Sequence, residues 1–331
     1  MKSINHFSFL LIIFLSISCN RSNVYKNLNG SALGTTYSII VDTNFEQKEL
    51  KNSIDSIFNV INNSMSTYID NSVISKVNSS INSDEVDIHF KNVFNKSKEI
   101  WFESDGYFDP TIGSLVNLYG LGSDLNYEQI NESKIDSIKK FIGFDRVTLL
   151  DDIVIKENSN IFLDFNAIAK GYSVDIIKDF FLDKGLKNFL IEVGGEISVN
   201  GYTKKNKKWK IAIQNPVDLN KFYSNINLKN MSLATSGNYR KFRIDPITGE
   251  RYAHIVNPKT GLNSKNNILS VSVISNTCME ADAWATALMS MDKQDAIEII
   301  NNINDTEVLI LTSQESELIA FKSIGWDSIT N

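Results

Sequence analysis

The sequence predicts an α+β protein with mixed sheets and flanking helices. Two observations indicate this class: segments with apolar residues three and four apart occur in both halves of the chain, and short β-branched segments bounded by Gly, Pro, Asn and Asp dominate the second half. A chain of 331 residues allows one elaborate domain or two tightly joined ones. Because 42% of the residues are hydrophobic and 22% are charged, we expect most of the chain to fold around a large core.

Apolar spacing locates the helices and strands. In the first predicted helix, residues 46–62, Leu50, Ile54 and Ile61 fall on one face. Further helices are predicted over residues 87–103, 127–141, 168–184, 278–291 and 293–302. Strands are predicted over residues 36–41, 161–164, 188–193, 209–213, 226–233, 252–256, 269–274, 308–311 and 318–321.

The first 19 residues have the features of an export signal. Lys2 precedes an apolar run over residues 7–17, which is shorter than the roughly 20 residues needed to cross a bilayer. We expect a lipoprotein signal peptide, with a lipid on Cys19 that anchors the chain at the periplasmic side of the inner membrane. A plain cleaved signal peptide is the alternative, because Ser16 stands where lipoprotein signals usually have leucine.

Residues 20–30 are polar, and we expect them to form a flexible tether to a folded domain over residues 31–325. The only cysteine besides Cys19 is Cys278, so no disulfide framework is expected. The net charge is −6 and the lysines form no stripe interleaved with aromatic residues, which argues against a nucleic-acid partner.

Motifs in the first half of the chain combine glycines with aromatic and acidic residues. They are G-T-T-Y at 34–37, S-T-Y at 66–68 and F-D-P-T-I-G at 108–113. Glycine lets a ligand approach the backbone, hydroxyl groups offer hydrogen bonds, and Tyr68 can stack on a flat ring. A plain glycine turn and ordinary core packing of Tyr68 are the alternatives.

The segment D-F-N-A-I-A-K-G-Y, residues 164–172, places Asp164 at the end of a predicted strand and Lys170 near the start of the next helix. Backbone N–H groups and the positive end of the helix dipole gather at such a place. It suits a phosphate or, through loop carbonyls and the acid, a metal. The alternative is an acid that only caps the helix.

His254 opens the motif H-I-V-N-P-K-T-G, which follows T-S-G-N-Y at 235–239. After the signal segment the only other histidine is His89, which has no motif around it. A general base that works near pH 7 would therefore be His254. A purely structural histidine is the alternative.

The segment A-D-A-W-A-T-A, residues 281–287, puts Asp282 and Thr286 on one face of a predicted helix, four positions apart. A carboxylate and a hydroxyl are hard oxygen ligands of the kind that magnesium or calcium accepts. Two oxygens do not complete a coordination shell, so backbone carbonyls, water or phosphate oxygens must supply the rest.

In this order, and with V-G-G at 193–195, the motifs over residues 31–291 resemble those of the ApbE family, the FAD:protein FMN transferases. The resemblance implies a T-fold-like α+β domain that uses Mg²⁺ and takes FAD as its substrate. It implies that FMN is joined through its phosphate to a threonine of a target protein and that AMP is released. The implied targets are subunits of membrane redox complexes.

The resemblance also implies site residues. His254 corresponds to the proposed base. Ala167, through its carbonyl, Asp282 and Thr286 correspond to the magnesium ligands. The implied FAD contacts are Leu33, Tyr68, Phe108, Asp109, Asp164, Lys170 and Ile255.

Two other functions stay open on the residues alone. A magnesium-dependent FAD pyrophosphatase would let water attack in place of threonine, and a non-catalytic FAD-binding lipoprotein would not need His254. Tyr68 beside the dinucleotide favours transfer, because an aromatic side chain there would limit the access of water. A redox flavoenzyme is disfavoured, because no G-x-G-x-x-G follows a predicted strand.

Overall fold

The structure is a computed structural model that describes residues 24–123, 130–238, 242–244, 249, 251–253, 255–263, 267–314 and 317–330. The expected signal peptide with Cys19 lies outside these residues, and so does His254. Within the described part of the chain, no helix combines the length and the apolar character needed to cross a bilayer.

Helices and strands alternate irregularly along the chain. The helices are α1 (Gln47–Met65), α2 (Val73–Ser79), α3 (Ile88–Glu103), α4 (Gly113–Leu118), α5 (Glu132–Lys139), α6 (Ala169–Asp183), α7 (Cys278–Ser290), α8 (Lys293–Ile299) and α9 (Trp326–Thr330). The strands are β1 (Val24–Ala32), β2 (Thr35–Thr43), β3 (Asn82–Glu85), β4 (Val147–Leu150), β5 (Ile153–Lys156), β6 (Phe189–Val193), β7 (Glu196–Asn200), β8 (Trp209–Gln214), β9 (Phe222–Leu228), β10 (Met231–Gly237), β11 (Phe242–Ile244), β12 (Arg251–Ala253), β13 (Ile268–Ser275), β14 (Thr306–Gln314) and β15 (Glu317–Lys322).

One large sheet organises the described chain, with the strand order β1-β2-β6-β7-β10-β13-β14-β15. Each neighbouring pair in it is antiparallel. Smaller sheets are formed by β3-β5-β4, β8-β9 and β11-β12. The α+β class expected from the sequence is confirmed.

The large sheet is covered on both faces. Successive residues of a strand point to opposite sides of a sheet, so neighbouring residues of one strand show what packs on each face. On β13, Val273 packs into the cluster that contains Trp284 of α7, whereas Ile274 packs into the cluster that contains Trp209 of β8 and Trp326 of α9. Helices therefore cover one face, and the β8-β9 hairpin with α9 covers the other. Burial on both faces agrees with β13, in which seven of the eight residues are buried, the serines Ser270, Ser272 and Ser275 included.

Three expectations about secondary structure were wrong. Residues 24–30, expected in the tether, belong to β1, whose register is set by its antiparallel pairing with β2 although only Leu28 is buried. Residues 161–164 form no strand, and Phe162 makes only an isolated bridge to Ile112. The strand expected over 226–233 is split between β9 and β10 by a turn at Asn230, whose φ is +53°.

Candidate functional site

Three ionisable side chains meet in a buried cluster between α6, α7 and β7, which we call the acid–lysine cluster: Lys170, Glu196 and Asp282. The ammonium nitrogen of Lys170 lies 2.7 Å from Glu196 Oε1 and 3.5 Å from Asp282 Oδ1. Asp282 Oδ2 accepts a hydrogen bond of 3.0 Å from the backbone N–H of Gly171. Two of its members, Lys170 and Asp282, were expected at a site from the sequence, and the structure brings them together.

Local sequence explains why α6 and α7 come so close. A Cβ atom at Gly171 would lie 2.3 Å from the carbonyl oxygen of Cys278, so only glycine fits there. Asp175 of α6 accepts hydrogen bonds of 2.8 Å from the backbone N–H groups of Cys278 and Met279, and Thr277 caps the same helix through Glu280 N–H. Together these contacts fix the first turn of α7 against α6.

Electrostatics in the cluster favour an additional cation. Burial raises the pKa of the Asp282 carboxyl, although the charge of Lys170 opposes that shift. Burial lowers the pKa of Lys170, but the negative charges of Asp282 and Glu196 outweigh burial, and the pKa of Lys170 is raised. With both carboxylates ionised the cluster carries a formal charge of −1, and because Glu196 and Asp282 are buried, solvent screens that charge only weakly.

Thr286 lies one turn beyond Asp282 on α7, and its hydroxyl oxygen is 3.3 Å from the Ser236 hydroxyl of β10. Ser236 belongs to the T-S-G-N-Y motif, whose neighbouring Thr235 exchanges a hydrogen bond of 2.8 Å with Ser272. This part of the motif therefore faces the same helix as the acid–lysine cluster. Tyr239, the last residue of the motif, is outside the described residues.

Ala167 lies two residues before the start of α6. In a regular helix its carbonyl would accept the N–H of Gly171, four positions later. That N–H donates to Asp282 instead, which leaves the Ala167 carbonyl without a helical partner. The position of the expected third magnesium ligand therefore fits a backbone oxygen that is free to bind elsewhere.

Asp164 is buried in the loop before α6, not at the end of a strand as expected from the sequence. One of its carboxylate oxygens accepts the N–H of Asn166 at 2.7 Å, and its own N–H donates to the carbonyl of Pro110 at 2.8 Å. Burial raises the pKa of this carboxyl. The second hydrogen bond brings the F-D-P-T-I-G loop beside the segment that leads into α6.

Asp109 has a clear structural task in that loop. Its carboxylate accepts hydrogen bonds from the N–H and the hydroxyl of Thr111, from the indole N–H of Trp101 and from the N–H of Phe144. The adjacent Phe108 is 3% exposed and packs into the main core. In the structure Asp109 and Phe108 hold the loop in place through these contacts. Their expected contacts with FAD stay predictions.

Tyr68 is 61% exposed, so the core-packing alternative is wrong for this side chain. Partial burial raises the pKa of its phenol, and the negative charge of Asp164 adds to the shift.

Leu33 occupies the two-residue β1-β2 turn with a φ of +52°, followed by Gly34 at +70°. A leucine in this left-handed region is strained, a feature that is frequent at ligand sites.

Ile255 is buried in the main core, and its carbonyl accepts a hydrogen bond of 3.2 Å from the side chain of Asn263. The roles expected for Ile255 and for the neighbouring His254 stay predictions.

Among the residues that the structure describes, no group of three or more His, Cys, Asp and Glu side chains is arranged to hold a metal ion. Backbone, hydroxyl or substrate oxygens would have to complete any cation site.

Glu196 is the site residue that sequence reasoning missed. It directly follows the V-G-G motif, so an acid at the start of a strand after two glycines was the available signal. The sequence alone does not reveal that β7 lies opposite the first turn of α6.

Comparison with known proteins agrees with this geometry. The model of the ApbE family matches residues 33–310. The chain is 29% identical to the FAD:protein FMN transferase of Vibrio cholerae, over 92% of this chain and 93% of that protein. It is 31% identical to the enzyme of the same name from Buchnera aphidicola subsp. Schizaphis graminum, over 85% of this chain and 84% of that protein.

Solved structures give the same result. The flavin transferase ApbE from Vibrio cholerae superposes with a TM-score of 0.85 at 28% identity, over 93% of this chain and 99% of that one. The ApbE protein of Thermotoga maritima superposes with a TM-score of 0.84 at 27% identity, over 93% of this chain and 100% of that one. The protein described here therefore belongs to the ApbE family.

Proposed function

We propose that this protein is an FAD:protein FMN transferase, which cleaves the diphosphate of FAD and joins FMN through a phosphoester bond to a threonine of a target protein. The observation that carries the proposal is the match, along almost the whole length of both chains, to relatives that bear this name. The buried acid–lysine cluster at the first turn of α6 supports it, because phosphoryl transfer depends on placing charge around the reacting phosphates.

The reaction forms one bond and breaks one. The hydroxyl oxygen of the acceptor threonine bonds to the phosphorus of the FMN half, and the bond from that phosphorus to the bridging oxygen breaks. AMP leaves with the bridging oxygen. We assign to His254 the acceptance of the threonine proton, and to Lys170 the stabilisation of negative charge on the phosphates.

We further propose that the enzyme works with Mg²⁺, held by Asp282, Thr286 and the carbonyl of Ala167. The donor set fits this ion: a buried carboxylate, a hydroxyl one turn away on α7 and a carbonyl without a helical partner are hard oxygens. The formal charge of −1 in the acid–lysine cluster supports the same assignment. When bound, the ion supplies charge neutralisation on the diphosphate.

Attachment to a membrane is a separate part of the proposal. We assign a lipid to Cys19 and a position on the periplasmic side of the inner membrane, where the acceptor would be a subunit of a membrane redox complex. β1 begins at Val24, five residues after Cys19. A fully extended segment of that length spans about 18 Å at most, so the first strand would lie close to the lipid. In cells fed a labelled fatty acid, Cys19→Ser should lose both the label and membrane attachment; retention of either by the variant contradicts this assignment.

The function is tested by incubating the protein with FAD, Mg²⁺ and a threonine-containing acceptor protein. We expect the acceptor to gain the mass of FMN and AMP to appear in equal amount. His254→Ala should abolish the mass gain, whereas His89→Ala should retain it, because the His89 ring packs against Tyr172 and its Nδ1 lies 2.9 Å from the Tyr172 hydroxyl, outside the acid–lysine cluster. AMP release at full rate without an acceptor would identify an FAD pyrophosphatase instead. FAD binding with neither product would identify a storage protein.

A further inference from the structure

Glu196 has no part in the mechanism above, yet it is the closest partner of Lys170. Its Oε1 lies 2.7 Å from the ammonium nitrogen, while Asp282 Oδ1 lies 3.5 Å from the same nitrogen. Only 4% of Glu196 is exposed, and its second oxygen, Oε2, is buried without a hydrogen-bond partner in the described structure. A buried carboxylate in this condition costs stability and calls for a functional explanation.

The two distances show how the charges are paired. Lys170 is paired most closely with Glu196: its ammonium nitrogen lies 0.8 Å farther from Asp282 Oδ1 than from Glu196 Oε1, and the 23% of its side chain that is exposed leaves it accessible to a phosphate. Asp282 Oδ1 therefore has only a long contact with the ammonium and is available to a second cation. Without Glu196, Asp282 would be the remaining carboxylate in reach of Lys170, and the ammonium would compete with any metal ion for it.

We propose that Glu196 is a positioning residue that holds Lys170 away from Asp282 and thereby keeps the Asp282 carboxylate open for the metal ion. The inference rests on the proposed magnesium site. Glu196 acts through Lys170 and does not itself bind the ion. In terms of formal charge, the cluster is at −1 in the native protein, at 0 after Glu196→Gln, and at −1 again when Lys170→Met is added.

The test measures metal affinity rather than activity. Mn²⁺, which takes the same oxygen ligands as Mg²⁺, is titrated into the purified protein while the free ion is followed by electron paramagnetic resonance. We expect Glu196→Gln to weaken binding by about 10-fold or more, the usual cost of losing a group that orients a metal ligand. Glu196→Asp, which keeps the charge, should lie closer to the native protein. Glu157→Gln is the matched control, because Glu157 is the exposed partner of Arg146 on the surface.

The double variant Glu196→Gln with Lys170→Met decides how Glu196 acts. If Glu196 only restrains Lys170, removing both side chains should return the Mn²⁺ affinity toward that of the native protein. Affinity that stays low in the double variant would make Glu196 a direct ligand and overturn the inference. Unchanged affinity in Glu196→Gln, or no Mn²⁺ binding by the native protein, overturns it as well.

Two further measurements separate this inference from others. Circular dichroism of each metal-free variant checks that the fold is intact, and Glu196→Asp carries the test if Glu196→Gln does not fold. FMN transfer by the native protein is measured in parallel. Suppose the native protein transfers FMN and Glu196→Gln keeps the native Mn²⁺ affinity. Glu196 then does not position Lys170 for metal binding, while the proposed function still holds.

Discussion

Two lysines of this protein lie in different surroundings, one buried and the other with 23% of its side chain exposed, and their pKa values move in opposite directions. Lys156, at the end of β5, is 1% exposed and donates to the carbonyls of Asn78 and Ile161 at 3.0 Å. Burial lowers its pKa to about 8. Lys170 has two carboxylates beside it, and its pKa is raised despite burial.

The comparison teaches that carboxylate partners, not burial, distinguish the functional lysine from the structural one. Lys156 fastens the end of α2 to the loop after β5 through neutral carbonyls, and no phosphate or metal is needed to explain it. Lys170 belongs to a cluster with an excess of negative charge, which a proton on Asp282 or a further cation balances. Three predictions test this distinction.

The largest effect is expected from Asp282→Asn. Asparagine keeps an oxygen for the Gly171 N–H but removes the charge that a metal ion requires. FMN transfer to the acceptor should fall by about 1000-fold, which corresponds to about 4 kcal/mol of lost stabilisation. Transfer is measured as the rate of mass gain on the acceptor. Asp327→Asn, which removes an exposed partner of Lys322, should retain the native rate. A comparable loss of rate in both variants would contradict a specific role of Asp282 in the transfer.

The second effect concerns stability. Lys170→Met leaves two buried carboxylates without their cation and should lower the free energy of unfolding by about 3 kcal/mol, the lower end of the range for a broken buried ion pair, because 23% of the Lys170 side chain is exposed. Because the pKa of Lys170 in the folded protein lies above its unfolded value, this contribution is fully present below pH 10.5 and is lost only as the pH rises through the folded pKa. Burial raises the pKa of Asp282 to about 7, and loss of the Lys170 charge raises it further, so protonation of Asp282 partly relieves the variant at pH 7. Urea unfolding should therefore give a difference at pH 9.5 that is at least as large as the one at pH 7. A difference below about 1 kcal/mol is incompatible with the ion pairing described above.

The smallest effect separates Lys156 by its pH dependence. Its folded pKa of about 8 lies below the ordinary 10.5, so between these values the unfolded chain holds more protons and stability rises with pH. From pH 7.5 to pH 10 the native protein should gain about 1–2 kcal/mol relative to Lys156→Met. Lys221→Met, at an exposed lysine, is the control and should follow the native protein. Parallel curves for the native protein and Lys156→Met would contradict the lowered pKa.

The sequence predicted the elements whose information is local. The apolar spacing of α1 and α3 and the four-residue interval from Asp282 to Thr286 on α7 both depend on neighbours along the chain. The motif order also led correctly to the family. These features need no knowledge of what packs against them.

What the sequence did not predict depends on distant contacts. β1 has a mostly polar sequence, and its strand exists because β2 supplies the hydrogen bonds. The alternation of apolar and polar residues over 226–233 hides a turn, because Asn230 occupies a polar position and tolerates a positive φ. Glu196 gains its meaning only from the sheet order that sets β7 beneath α6, which no spacing along the chain encodes.

The hydrogen bond from Gly171 to Asp282 has a practical consequence. Since the donor is a main-chain amide, it can be observed without any substitution at Gly171, where only glycine fits. The amide resonance of Gly171 should therefore act as a native probe of the carboxylate: in a nitrogen-labelled sample, its chemical shift should move when the carboxylate is protonated or loaded with a cation. Ligand occupancy could thus be followed without attaching a dye or altering the molecule.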